Sequence, residues 1–206
     1  MEAQFEPGSR GRVLKNLLGV KKKREMDALE AVEQDRVLAE SLVHYDMEHR
    51  FTSHDICNMH KAWFGAIYPW AGQYRNVNVS KGGFPFAAAK HIPALMLEFE
   101  KNILREFTPC RFSSNDEIAR AIAIVHVELV LVHPFREGNG RLARILATLM
   151  ALQAGLPPLD YQNIKGKKRQ KYFTAVRAGL SRNYEPMEEV FRSIIARTLE
   201  EPQEID

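Results

Sequence analysis

The strongest constraint on the fold is the apolar run 118–132, which is followed at once by a proline and a glycine-rich turn. The run is apolar on nearly every side, which is typical of a helix buried on all its faces. Ser114, with Glu117 three residues later, predicts a capping box at the start of this helix. Pro134 disfavours helical geometry in the residue before it, so we predict that the helix stops at His133.

A second apolar helix is predicted after the turn Gly138-Asn139-Gly140. Apolar residues recur at helical spacing over 142–152, and Gly155 marks the expected end. A glycine-rich turn that leads into a helix N-terminus is an anion-binding arrangement. Its backbone N–H groups can point into one concavity, and the helix dipole adds positive potential there.

Charged and aromatic side chains flank this turn. Arg141 and Arg144 are three residues apart, so we expect them to share one helix face and to reach phosphate oxygens together. Glu137 has the right sign to hold a divalent cation that bridges phosphates. A neutral His133 on the opposite lip can take a proton from a hydroxyl that attacks phosphorus. Phe135 is expected to point inward and anchor the loop. Each of these features alone has a structural explanation, but their occurrence together at fixed spacing between two apolar helices favours a polyphosphate site.

The stretch from His133 to Arg144 resembles the signature of the Fic family, His-Pro-Phe-x-(Asp or Glu)-Gly-Asn-Gly-Arg-x-x-Arg, and matches every specified position. The resemblance implies an all-α Fic fold, a helical bundle with a short β-hairpin flap over the active site. It also implies transfer of AMP from ATP, with Mg²⁺, to a Ser, Thr or Tyr hydroxyl of a target protein. The implied site residues are His133 as general base, Glu137 as magnesium ligand, Gly138, Asn139 and Gly140 as the nest for the α- and β-phosphates, Arg141 as a phosphate contact, and Arg144 as the residue that orients the γ-phosphate.

Residues 75–86 carry the one clear strand signal in a helical chain. Polar and apolar residues alternate over 75–80, and a Gly-Gly turn follows, which predicts a short β-hairpin. A free hairpin edge can pair with an extended segment of another protein. The hairpin resembles the family's flap, which aligns the target backbone by strand addition; Lys81 or Phe84 would clamp the modified side chain. The implied docking residues are Val79, Ser80, Lys81, Gly82, Gly83, Phe84 and Phe86.

Helical periodicity covers most of the remaining chain. Further helices are predicted at about 24–43, 53–64, 92–107, 161–179 and 187–199. In the first of them, the packing stripe is expected to include Met26, Leu29, Val32, Val37 and Leu38. We expect a loose lead-in over 1–13, one Fic domain over 14–200 and a tail over 201–206.

The adenine pocket of the family's fold is lined by residues that follow the signature helix. By the resemblance, Asn163, Tyr172 or Phe173 would take this role here, although packing is the alternative for both aromatic residues.

Composition sets limits on function. The 206 residues are 45% hydrophobic and 27% charged, which suits one soluble domain with a substantial core. A net charge of +3 is too small to argue for a nucleic-acid partner. The run 118–132 is short and contains His126 and Glu128, which argues against a membrane span. Cys57 and Cys110 lack metal-ligand spacing and no secretory signal is visible, so we expect a cytoplasmic protein, with an exported effector as the alternative.

Many relatives carry an inhibitory helix of the form Ser/Thr-x-x-x-Glu-Gly/Asn, whose glutamate pairs with the second signature arginine. Only Ser113 to Glu117 and Ser181 to Glu185 have the first spacing here, and Pro186 is expected to break a helix at the second place. We therefore predict a separate small antitoxin-like partner that supplies the glutamate in trans, with an unrestrained enzyme as the alternative.

Two other functions stay open at this point. ATP bound in the reverse sense would donate its γ-phosphate, which would make the chain a phosphotransferase. Alternatively, the domain binds nucleotide without turnover. The intact His133 and Glu137 argue against the second function, because a binding module gains nothing from a base.

Overall fold

The computed structural model describes residues 5–162 and 167–200, which contain eight α-helices and one two-stranded hairpin. A π-helical turn, Glu100–Leu104, joins α3 to α4, and short 3-10 turns at Ala89–His91 and Gly179–Ser181 precede α3 and follow α7. The elements are α1 (Lys23–His44), α2 (Ser53–Phe64), β1 (Ser80–Lys81), β2 (Phe84–Pro85), α3 (Ile92–Phe99), α4 (Arg105–Phe107), α5 (Asn115–Val132), α6 (Asn139–Gln153), α7 (Lys167–Ala178) and α8 (Glu185–Glu200).

Helix α5 is the central helix, and it packs most extensively on α8 and α6. It is buried on nearly all sides, as the apolar run predicts. The predicted capping box is present, because the Ser114 hydroxyl accepts from the Glu117 amide and the Glu117 carboxylate accepts from the Ser114 amide. The helix ends at His133, which has left-handed geometry with φ of 51°. Both ends of α5 are therefore confirmed.

Helix α1 shows one difference from its predicted stripe. Met26 and Val37 are buried, but the Val32 side chain is 66% exposed, so its assignment to the packing face is wrong. The buried face instead includes a carboxylate, Glu30, which is only 3% exposed. Glu30 can be buried on this face because Arg141 of α6 pairs with it, which is a tertiary contact.

The segment before α1 packs against the core. Phe5 forms an isolated antiparallel bridge with Leu14, and Ser9, Val13 and Val20 are buried. The part of the predicted loose lead-in from Phe5 onward is thus held in place by the fold.

The C-terminal region differs from its prediction at both helix starts. Tyr161 and Gln162 are not helical, residues 163–166 lie outside the described residues, and α7 is seen from Lys167. Pro186 does not break a helix: it lies in the first turn of α8, where a proline has no N–H bond to lose. Across residues 5–162 and 167–200, none of the helices has both the length and the apolar character that crossing a bilayer requires.

The hairpin is present but shorter than the sequence pattern predicts. Only Ser80 with Pro85 and Lys81 with Phe84 form strand pairs. Arg75, at the start of the predicted first strand, bonds elsewhere: its amide donates to the Pro134 carbonyl at 2.9 Å. The strand assignment for 75–79 is therefore wrong: Arg75 is tied to the loop after α5, and Val79 only accepts one hydrogen bond from the Phe86 amide next to the paired residues.

Candidate active site

His133 lies at the C-terminal end of α5, and its ring nitrogens are in different environments. Nδ1 is 3.1 Å from the carbonyl oxygen of Val130. A carbonyl only accepts, so Nδ1 carries the proton and Nε2 keeps its lone pair. The Phe86 ring stacks on the imidazole with centroids 3.6 Å apart. Within residues 5–162 and 167–200, no group hydrogen-bonds to Nε2.

The His133 imidazole is neutral at ordinary pH. Burial lowers its pKa to about 4, and the positive charge of Arg75 adds to the effect, while the bond to Val130 opposes it. Arg75 also fixes the backbone here, because its Nε donates to the His133 carbonyl at 2.7 Å. The Arg75 guanidinium further donates to the carbonyls of Val77 and Ala87, which ties the base of the hairpin to the loop.

The loop between α5 and α6 is fixed from inside. The Asn139 side chain accepts from the Phe135 amide and donates to the Phe135 carbonyl, both at 2.8 Å. Phe135 is fully buried, as predicted. The Asn139 side chain is thus turned into the fold, and only its backbone amide is placed to meet an anion.

His60, on α2, supports the same loop from the other side. Its ring stacks on Phe135 with centroids 3.8 Å apart, its Nδ1 accepts from the Gly72 amide, and its Nε2 donates to the Glu137 carbonyl at 3.2 Å. Burial lowers the pKa of His60 to about 4, so the ring stays neutral. This role of His60 is not predictable from the sequence, because nothing local relates α2 to the signature.

The two signature glycines have different surroundings. Gly138 has φ of 83°, and a Cβ there would lie 2.5 Å from the Phe64 ring. Gly140 is helical, and a Cβ there would meet nothing within 4 Å. In the described part of the chain, the amides of Asn139 and Gly140 donate to no protein acceptor. They are the first free donors of α6, and they can receive an anion.

Glu137 lies at the rim of this loop with its side chain 51% exposed. One carboxylate oxygen accepts from the Gly138 amide at 2.9 Å and lies 3.6 Å from Nη2 of Arg141. This arrangement orients the carboxylate at the loop surface without burying it.

The two signature arginines have separate supports. Nη2 of Arg141 lies 2.6 Å from a carboxylate oxygen of Glu30, and its guanidinium covers the Trp63 ring at 4.7 Å. Arg144 donates to the Gly140 carbonyl at 3.3 Å, and its guanidinium lies 5.7 Å from the Tyr161 ring centre.

The hairpin and α7 line a cavity of about 360 Å³, and one of its walls is Phe86, which stacks on His133. Phe84, Phe86 and Phe173 line it, and the Lys81 ammonium lies 5.4 Å from the Phe173 ring centre. Arg177 donates to the Gly82 carbonyl at 3.3 Å, which links α7 to the tip of the hairpin.

The candidate adenine residues separate into three cases. Phe173 faces the cavity, whereas the Tyr172 hydroxyl donates to His126 at 2.7 Å, inside the helical core. Asn163 lies outside the described residues. The flap residues Val79 and Phe86 hydrogen-bond to each other across the hairpin, and Ser80 and Gly83 are exposed at its edge and tip.

Buried neutral histidines predict a pH dependence of stability. Burial lowers the pKa of His60 to about 4 and of His126 to about 3, below the usual 6.5. Between these values the unfolded chain binds protons that the folded chain does not, so stability is complete above about pH 6.5 and falls as the pH decreases toward 4. We expect a loss of about 1.4 kcal/mol per pH unit for each histidine, measured by urea unfolding at pH 7, 6 and 5.

The matched variant is H126Q, because a glutamine can still donate to the Ala143 carbonyl and accept from Tyr172. Its stability should depend less steeply on pH than that of the wild-type chain. An equal slope in both proteins would contradict this assignment.

The comparisons with known proteins agree with this fold and loop. The family model described as "Fic/DOC family" matches residues 50–151. Protein adenylyltransferase fic-1 of Caenorhabditis briggsae is 37% identical over 112 residues, which cover 54% of this chain and 21% of that protein. Protein adenylyltransferase VbhT of Bartonella schoenbuchensis is 29% identical over 69% of this chain and 30% of its own length. The chain therefore spans less than a third of the length of these relatives.

Among solved structures, the BepC protein of Bartonella tribocorum, crystallised with bound AMPPNP, superposes with a TM-score of 0.73. It is 24% identical to this chain, and the match covers 88% of this chain and 91% of that one. This structural similarity shows that the two chains share the same fold.

The fold and the loop together define a helical protein in which a glycine-rich turn with free amide donors joins two core helices. The chain belongs to the Fic/DOC family.

Proposed function

We propose that this chain transfers AMP from Mg-ATP to a Ser, Thr or Tyr hydroxyl of a target protein. The observation that carries the proposal is the protonation of the His133 ring. Its proton is held on Nδ1 by the Val130 carbonyl, so the lone pair of Nε2 is available at the start of the loop that carries the free amide donors. A neutral imidazole next to an anion site is what general-base attack on a phosphate requires.

The proposed reaction uses these residues in fixed roles. Nε2 of His133 takes the proton of the target hydroxyl while the hydroxyl oxygen forms a bond to the α-phosphorus. The bond from the α-phosphorus to the bridging oxygen breaks, and pyrophosphate leaves. The free amides of Asn139 and Gly140 stabilise the negative charge on the transferred phosphoryl group.

The arginines and Glu137 complete the phosphate site. Arg141 contacts the phosphates, and Arg144 orients the γ-phosphate. Mg²⁺ is commonly held by one or two carboxylates together with substrate phosphates, and the half-exposed Glu137 carboxylate suits that pattern. When bound, the ion neutralises phosphate charge.

The cavity between the hairpin and α7 is the proposed adenine subsite, with Phe173 as a wall residue. Tyr172 is not part of this subsite, because its hydroxyl is engaged by His126 in the core. The hairpin is proposed to bind the target backbone along its free edge, with Lys81 or Phe84 beside the modified side chain.

Arg144 is the proposed point of control. Within residues 5–162 and 167–200, no carboxylate lies within salt-bridge distance of Arg144. A glutamate from a small antitoxin-like partner would pair with its guanidinium and prevent correct placement of the γ-phosphate. We also propose that the chain acts in the cytoplasm, and this part of the proposal is supported by composition alone.

Labelled ATP tests the proposal directly. With the label on the α-phosphate, we expect incorporation into target protein; with the label on the γ-phosphate, we expect none. The reverse result would establish the phosphotransfer alternative. Binding of ATP without any transfer, with candidate targets from a whole lysate, would favour the non-catalytic module.

A further inference from the structure

Glu30 is a buried carboxylate outside the signature. It lies on α1, about a hundred residues before Arg141, and is 3% exposed. An isolated ionised carboxylate is very costly to bury, so its surroundings must supply a compensating charge and hydrogen bonds.

The compensating groups come from the loop after α2 and from α6, and α2 adds a bond to the Glu30 backbone. The Tyr68 hydroxyl donates to Oε1 of Glu30 at 2.7 Å, and Nη2 of Arg141 lies 2.6 Å from Oε2. The Trp63 indole donates to the Glu30 carbonyl at 2.8 Å. Both carboxylate oxygens are therefore in use, each with a different partner.

Arg141 is held on two sides by this cluster. Glu30 takes one terminal nitrogen, and the Trp63 ring supports the plane of the guanidinium at 4.7 Å. The Arg141 side chain still exposes 26% of its surface, whereas that of Glu30 exposes 4%. The Nη2 atom that meets Glu30 also lies 3.6 Å from a carboxylate oxygen of Glu137, so the anchored guanidinium is at the rim of the loop that presents the free amides.

Glu30 is poorly suited to act as a movable brake. A brake must leave its arginine when nucleotide arrives, but Glu30 is buried and bonded to Tyr68 as well. Its carboxylate also meets Arg141, whereas the inhibitory glutamate of relatives pairs with the second signature arginine. The contacts suit a fixed support.

We propose that Glu30 is a positioning residue, which holds Arg141 in the orientation that binds the nucleotide phosphates. The proposal rests on the proposed function, because it assigns Arg141 to a phosphate. An arginine with its rotamer already fixed loses less entropy on binding, so it binds phosphate more tightly than a free one.

The test is a double-mutant cycle of E30Q and R141A, in the full chain, with Mg-AMPPNP as the probe. We expect E30Q to weaken AMPPNP binding by about tenfold, within the range of one charge-assisted hydrogen bond. In the R141A background, E30Q should weaken binding no further, because the residue that it positions is gone. Where transfer is measured, E30Q should raise KM for ATP with little change in kcat.

Thermal unfolding provides a second readout of the same pair. R141A should lower Tm, since it leaves a buried carboxylate without its cation, and adding E30Q should restore part of the loss. The matched control is E33Q, the same substitution one turn along α1, where Glu33 pairs with Arg36, whose side chain is 42% exposed. E33Q should leave AMPPNP affinity unchanged.

Two results overturn the positioning role alone: wild-type affinity in E30Q, or an equal loss from E30Q with and without Arg141. A wild-type chain that binds no AMPPNP and transfers no label overturns the proposed function instead, and with it the reason for holding Arg141 in place.

Discussion

Replacing His133 with alanine should lower the rate of transfer by about a hundredfold to ten-thousandfold and leave AMPPNP affinity nearly unchanged. General-base catalysis contributes gains of this order, and the imidazole is proposed to act only on the incoming hydroxyl. The measurement is incorporation of α-labelled phosphate under saturating ATP, beside calorimetric titration with Mg-AMPPNP.

This experiment needs a control for folding, because His133 has φ of 51° and stacks on Phe86, so its replacement can also disturb the structure. H133N is the second variant, since asparagine tolerates left-handed geometry better than alanine and its amide cannot act as a base. The exposed His54 supplies a matched control, and H54A should transfer at the wild-type rate. Transfer near the wild-type rate in a folded H133N variant would show that the base is a different group.

The two glycines of the signature should respond to alanine in opposite ways. G138A should destabilise the chain by about 2–4 kcal/mol, because left-handed geometry disfavours a Cβ and the new atom would lie 2.5 Å from Phe64. G140A should be at least as stable as the wild-type chain, since alanine favours a helix and the Cβ meets nothing within 4 Å.

Although G140A should not reduce stability, it should reduce nucleotide affinity. If a phosphate approaches the free amide of Gly140, a methyl group beside it costs affinity, and we expect a loss of about tenfold or more in Mg-AMPPNP binding. Urea unfolding and calorimetry measure the two effects separately. Undiminished AMPPNP affinity in a stable G140A variant would remove Gly140 from the phosphate nest.

Local rules account for the parts of the fold that were predicted correctly. The start of α5 follows from Ser114 and Glu117, which bond to each other over three residues. Its end follows from Pro134, whose ring restricts the residue before it. The signature turn, the hairpin and the helix order were visible for the same reason, because each depends on neighbours in the chain.

The supports of the site were not predictable in this way. His60 bonds to Glu137 across 77 residues, and Arg75 bonds to His133 across 58. Glu30 has a faint local signal, a carboxylate on the helix face that also carries Met26 and Val37, but its partner is identified only by the packing of α1 on α6. Val32 was misplaced because several stripes of α1 fit an apolar pattern equally well.

The sequence by itself determined the family, the helical class, the two core helices and the residues of the candidate phosphate site, because capping, proline geometry and the spacing of the signature act over a few residues. The structure was needed to show which nitrogen of His133 is free and that the Asn139 side chain turns inward, because these bonds over three and four residues depend on the side-chain rotamers. The tertiary structure alone paired Arg141 with Glu30. Burial and charge pairing depend on which distant segments meet, and no local pattern specifies that.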